Sequence, residues 1–220
     1  MFRRLFAPVL AVAVLAGCGS TPPAAEEVPE NSSAVDLVNL WRVTGAEGEA
    51  VDTWLRLDAG EFQLWRECGM ISGSWRATDS LMLASVFGAS GSCATGDIPT
   101  VDWLEAVAGY TPTDGGWTLV DAAGSPLASL TIDGAPDPID TAAEFYTQPP
   151  EVTDETRAYF AAADALPASL TPPVLPGRWT PDGFTGTTDT FVEFRADGTW
   201  EGSDGCNGGA GRWASDADGG

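Results

Sequence analysis

Apolar and polar residues alternate with a period of two along most of residues 37–133, the pattern of short strands set side by side. Trp54, Arg56 and Asp58 are expected on one side of a strand, with Thr53, Leu55 and Leu57 on the other. Asp58-Ala59-Gly60 reads as a turn and residues 61–66 as the returning strand. Residues 71–76 and 80–87 continue the pattern across Ala77-Thr78-Asp79. The stretch 101–108, VDWLEAVA, is the one helical segment of this part, with Thr100 as its N-cap. Gly115-Gly116 leads into a last hairpin, 117–121 with 127–132. Many short strands around one short helix predict a mainly β (α+β) fold, an antiparallel sheet or partly open barrel.

The pattern breaks at residues 134–176. Residues 134–150 carry Pro136, Pro138, Pro149 and Pro150 and read as loop. Residues 153–165, TDETRAYFAAADA, read as a helix. Thr153 caps it, Asp154 and Glu155 suit its positive end, Pro167 stops it, and Tyr159 and Phe160 are expected to dock it. The whole segment is expected to act as a Pro-rich linker. From Gly177 the strand pattern returns, with Val192 and Phe194 on one face and Phe191 and Glu193 on the other.

Residues 190–213, TFVEFRADGTWEGSDGCNGGAGRW, repeat residues 53–75 in degenerate form. Each copy has a Trp upstream (Trp41, Trp179) and a cysteine seven residues before a closing Trp (Cys68 and Trp75, Cys206 and Trp213). The chain is thus expected to use one small β unit twice, at 37–133 and 177–220. The second copy corresponds only to the N-terminal half of the first. A partner for Cys206 is expected in sequence beyond Gly220, with Cys206 free here.

The N-terminus follows a different rule. Arg3 and Arg4 precede an apolar run from Leu5 to about Ala16, too short to span a bilayer but suited to a secretory signal. The run ends in Leu15-Ala16-Gly17-Cys18, which resembles the bacterial lipoprotein box. That resemblance implies diacylation of Cys18 and removal of residues 1–17. Two acyl chains suffice for stable anchoring where one is marginal. Residues 18–36 are rich in Pro, Ser, Ala and Glu and read as a disordered tether. The expected location is the cell membrane, lipid-anchored at its extracytoplasmic face.

Composition narrows the chemistry. The 220 residues include 32 acidic and 10 basic side chains, a formal charge of −22. Every basic residue is an arginine. No basic face exists for nucleic acid, so none is expected as a partner. The absence of histidine excludes Ser-His-Asp and Cys-His catalysis and histidine-bearing zinc sites within the chain. The absence of lysine removes Schiff-base and P-loop chemistry. An exported setting favours a disulfide between Cys68 and Cys93, worth about 3–4 kcal/mol for such a loop. An enzyme built on paired carboxylates has no locating motif among 32 acids. The nine tryptophans are expected in the core, with a sugar-stacking platform as the alternative.

At Gly177-Arg178-Trp179, Phe191-Val192-Glu193-Phe194, Asp197-Gly198-Thr199-Trp200 and Gly202-Ser203-Asp204-Gly205-Cys206-Asn207, the second copy resembles the META domain family, also called HslJ-like. The Gly-Cys-Asn step followed by Gly211 is the most specific mark. The first copy carries Glu67-Cys68-Gly69 in its place. The resemblance implies a compact β fold with a helix, an envelope lipoprotein linked to stress tolerance, and neither catalytic residues nor a cofactor. The expected partners are the membrane through Cys18, and an unidentified envelope protein or cell-wall glycan. The corner glycines 202, 205, 208, 209 and 211 are expected to permit positive φ, and Asn207 to tolerate the left-handed region. The spacing of Asp204, Asn207, Asp216 and Asp218 does not match a calcium loop.

Overall fold

The computed structural model describes residues 33–79, 81–161, 175–183 and 188–214. The expected signal with Cys18, most of the expected tether, residues 80, 162–174 and 184–187, and the segment 215–220 with Asp216 and Asp218 lie outside the described residues. The fold is mainly β, built from two antiparallel sheets.

The larger sheet has eight strands: β1 (Asn39–Thr44), β2 (Trp54–Leu57), β3 (Glu61–Arg66), β4 (Gly69–Ala77), β5 (Met82–Gly91), β6 (Gly109–Thr113), β7 (Gly116–Val120) and β8 (Pro126–Thr131). Their order is β5-β4-β3-β2-β1-β8-β7-β6, so the first strand joins two meanders. The sheet curls until its two edges nearly meet. The Met82 amide donates to the Ala108 carbonyl at 3.2 Å, and the Tyr110 hydroxyl donates to the Thr78 carbonyl at 2.7 Å. The barrel stays partly open, since β5 and β6 do not pair as strands.

Leu37, Trp41, Leu55, Leu57, Phe62, Leu64, Ile71 and Leu130 fill the concave side. Each buried side chain of this size contributes about 1.5–3 kcal/mol against exposure. The alternation expected for 53–58 holds, yet both of its faces are buried, because every residue of β2 is covered. Residues 134–150, read as linker, lie across the second face. Leu40, Trp54, Trp65 and Met70 pack there against Ile139, Ala142 and Tyr146. The Trp54 indole donates to the Asp133 carbonyl at 2.9 Å and the Trp65 indole to the Tyr146 carbonyl at 3.2 Å. Arg56, only 4% exposed, donates to Gln63, Asp58 and the Gln148 carbonyl. A buried guanidinium is tolerable only with such partners.

The helix expected over 101–108 is shorter, α1 (Asp102–Glu105), with Val101 rather than Thr100 at its N-cap. The cause is competition for backbone. Ala108 donates to the Val120 carbonyl and accepts from Met82, so the chain must leave the helix to enter β6, a strand the sequence pattern did not reveal. The second helix, α2 (Asp154–Phe160), is capped by Thr153, whose hydroxyl accepts from the Thr156 amide at 3.2 Å. Residues 162–165 of the expected helix lie outside the described residues. Phe160 stacks on Trp75, with ring centroids 5.0 Å apart, and Arg76 lies 4.1 Å over the Tyr159 ring. Ala34–Leu37, mostly within the stretch expected to be a disordered tether, form a 3-10 turn with Ala34 and Leu37 buried, so ordered structure starts before residue 37.

The smaller sheet contains β9 (Gly177–Trp179), β10 (Phe191–Phe194), β11 (Thr199–Ser203) and β12 (Gly208–Arg212), in the order β12-β11-β10-β9. Its hydrogen bonds repeat those of β1–β4. The Trp41 indole donates to Leu37 four residues back, and the Trp179 indole to Leu175. Trp75 donates its amide to Gly60 and its indole to Asp58; Trp213 does the same to Gly198 and Arg195.

Candidate functional site

The corner between β11 and β12 is built around one carboxylate. Asp204 Oδ1 accepts from the Cys206 amide at 2.8 Å and the Asn207 amide at 2.6 Å, and Oδ2 accepts from Asn207 Nδ2 at 3.3 Å. These bonds hold the Asp204 carboxyl below the usual carboxylate range, the amide donors contributing most. The Cys206 and Asn207 amides are satisfied by Asp204 and the Gly205 amide by the Ser203 hydroxyl, so they offer no nest to an outside anion. Asp197 organises the β10–β11 turn similarly, accepting from the Thr199 hydroxyl at 2.6 Å and its amide at 3.0 Å.

The glycines work differently from expectation. Of the five, only Gly205 has positive φ, at 90°, and Asn207 is not left-handed, since no non-glycine residue described has positive φ. Gly209 and Gly211 instead make room for Trp200. A Cβ on Gly211 would lie 2.8 Å from Trp200 Nε1, and one on Gly209 would lie 3.4 Å from the same indole. In the first unit Gly73 makes room for Phe62 at the equivalent position. The motif residues Asp204, Gly205, Cys206 and Asn207 thus share one corner, while Gly211 sits on the next strand beneath Trp200. Cys206 is free and exposed.

Cys68 and Cys93 form the expected disulfide, with Cα atoms 4.9 Å apart. Beside it lies a shallow cavity of about 450 Å³ holding an ion pair that sequence reasoning missed. The Glu49 carboxylate is 2% exposed and accepts from Arg66, from Trp103 Nε1 at 2.6 Å and from the Thr53 hydroxyl at 3.4 Å. No local signal could have found it, because Arg66 and Trp103 are 17 and 54 residues away.

The tryptophans divide by sheet. Trp41, Trp54, Trp65, Trp75, Trp103 and Trp117 are buried, whereas Trp179 is 47% exposed. Trp179 and Trp200 line an open groove of about 670 Å³, with Val192, Gly202, Asp204 and Asn207 along it. Among the described residues, no group of three or more His, Cys, Asp or Glu could hold a metal ion, and no helix is long and apolar enough to cross a membrane.

No protein-family model matches the sequence, and no curated protein does. Among solved structures, the chain is similar to a DUF4847 family protein from Bacteroides vulgatus, at 15% identity and a TM-score of 0.30. That match covers 37% of this chain and 59% of the other.

Proposed function

We propose that this is a lipid-anchored envelope protein of META-like repeats, held at the extracytoplasmic face through Cys18, non-enzymatic, and acting in envelope homeostasis or stress response. The observation that carries the reading is the lipobox-like Leu15-Ala16-Gly17-Cys18 at the end of a short apolar run. The Cys68–Cys93 disulfide supports it, because such bonds persist in oxidising compartments outside the cytosol. The duplicated hydrogen bonds of β1–β4 and β9–β12 support a repeated unit. Metabolic labelling with a fatty acid tests the anchor: wild type takes the label and Cys18→Ala does not. Equal labelling of both refutes the reading.

A second reading, a cell-wall glycan-binding module, is favoured by one observation, the half-exposed Trp179 beside Trp200 in an open groove. Flat indole faces stack on sugar rings, and Asp204 and Asn207 supply polar atoms at the rim.

A further inference from the structure

The two ends of the Cys68–Cys93 bond sit in different surroundings. Cys68 lines the Glu49–Arg66 cavity and is partly exposed, whereas Cys93 is 8% exposed and packs into the core. Cys93 belongs to a peripheral segment, residues 92–100, SCATGDIPT. Cys93 alone is buried among the described residues 92–100. Among the described residues, the hydrogen bonds leaving this segment end on one acceptor, the Cys68 carbonyl. It takes the Cys93 amide at 3.0 Å and the Ser92 hydroxyl at 2.9 Å. The Thr95 amide and hydroxyl only turn back onto the Ser92 carbonyl. Both flanks are held independently: Gly91 pairs with Gly69 in the β4–β5 ladder, and Val101 is 1% exposed. Ser92 also forms part of the cavity wall. One covalent bond and the carbonyl next to it therefore fasten the whole segment.

We propose that Cys68–Cys93 is a thiol-exchange site, entered at Cys68 from the cavity by an external dithiol, and that its reduction releases residues 92–100 while the eight-stranded sheet stays folded. A thiolate of the dithiol attacks Cys68 Sγ, the bond to Cys93 breaks, and Cys93 leaves as a thiolate that takes up a proton. The partner's second thiolate then attacks the partner sulfur now bound to Cys68. Cys68 leaves and is protonated in turn, and the partner departs as a disulfide, having supplied two electrons and two protons. A single thiol would not serve. Bound to Cys68, it is expelled again by Cys93, whose Cα lies 4.9 Å away while its amide still bonds the Cys68 carbonyl. The cavity does not generate the attacking thiolate either, because Arg66 is already paired with Glu49 and Glu67 lies beside it. The partner must bring its own low-pKa thiol, as a Cys-X-X-Cys protein does. Reduction frees the segment because little else than Cys93 is buried in it, so it opens locally. Its release takes Ser92 off the cavity wall and opens the Glu49–Arg66 pair to solvent. Both sulfurs, the cavity and the segment lie in the first unit, so neither the lipid anchor nor the second sheet enters.

The test is reduction of the full-length protein in mild detergent without denaturant, its free thiols blocked beforehand with N-ethylmaleimide. Reduced thioredoxin, a Cys-X-X-Cys protein, is the probe, with glutathione at equal thiol concentration beside it. Thioredoxin should reduce the bond about tenfold faster or more than glutathione. Brief treatment with 2-mercaptoethanol, quenched in acid, should place the adduct on Cys68. After complete reduction, hydrogen exchange should rise about tenfold or more at residues 92–100, with β3 and β7 unchanged. Reduction that occurs only where urea unfolds the sheet overturns the proposal. So does exchange that rises across all eight strands, since the bond is then a staple of the whole fold. Unchanged exchange at residues 92–100 overturns the release, an adduct on Cys93 overturns entry from the cavity, and glutathione as fast as thioredoxin overturns the dithiol partner.

Discussion

Tyr110 offers the most direct test of how the eight-stranded sheet is held at its seam. Its ring is 7% exposed, packs edge-on against Trp117 at 5.4 Å, and its hydroxyl reaches across to Thr78 at 2.7 Å. Burial, reinforced by the charges of Asp79 and Asp36, pushes its pKa up to about 12 from the ordinary 10.0. The folded state holds this proton more tightly than the unfolded chain does. The stability it confers is complete below pH 10 and is lost as pH rises through 12. That separation is worth about 2.7 kcal/mol once both states are ionised, and about 1.4 kcal/mol at pH 11. Tyr110→Phe removes the titration together with one hydrogen bond, costing about 1 kcal/mol at pH 8. Urea unfolding at pH 8 and pH 11 should then show wild type losing about 1.4 kcal/mol more than the variant, so that the gap between them closes and slightly reverses. Parallel losses would refute the reasoning, as would an absorbance titration placing every tyrosine near pH 10.

Two further outcomes follow from the repeat and its cysteines. A Cβ on Gly73 would lie 2.2 Å from both the Phe62 ring and the Ser85 carbonyl, so Gly73→Ala should lower unfolding free energy by about 3 kcal/mol. Gly211→Ala meets only the partly exposed Trp200 indole and should cost under about 1 kcal/mol; equal costs in urea melts would refute the assignment. Thiol titration of the folded protein should detect Cys206 while Cys68 and Cys93 stay silent until reduced, and Cys93→Ser should destabilise by about 3.5 kcal/mol.

Local pattern was enough for some features because their causes are local. The period-two alternation placed β2, β3 and β7 within a residue or so, and the turn at Asp58-Ala59-Gly60 follows from Gly60, whose φ is 79°. Thr153 was legible as a cap because its partner is three residues away. The equal spacing of Cys68–Trp75 and Cys206–Trp213 pointed to a duplication, and Trp75 and Trp213 make matching indole and amide hydrogen bonds.

Tertiary structure decided what depends on distant partners. Residues 134–150 read as linker because proline content reports backbone freedom, not the apolar face of Trp54, Trp65 and Met70 waiting across the sheet. Glu49 looked like one surface acid among many until Arg66 and Trp103 closed around it. The tryptophans look alike in sequence, yet Trp41 is core and Trp179 half-exposed, because burial is a property of what pairs with the neighbouring strand edge. Composition and spacing are carried by single residues and their near neighbours; burial and pairing belong to the assembled sheet.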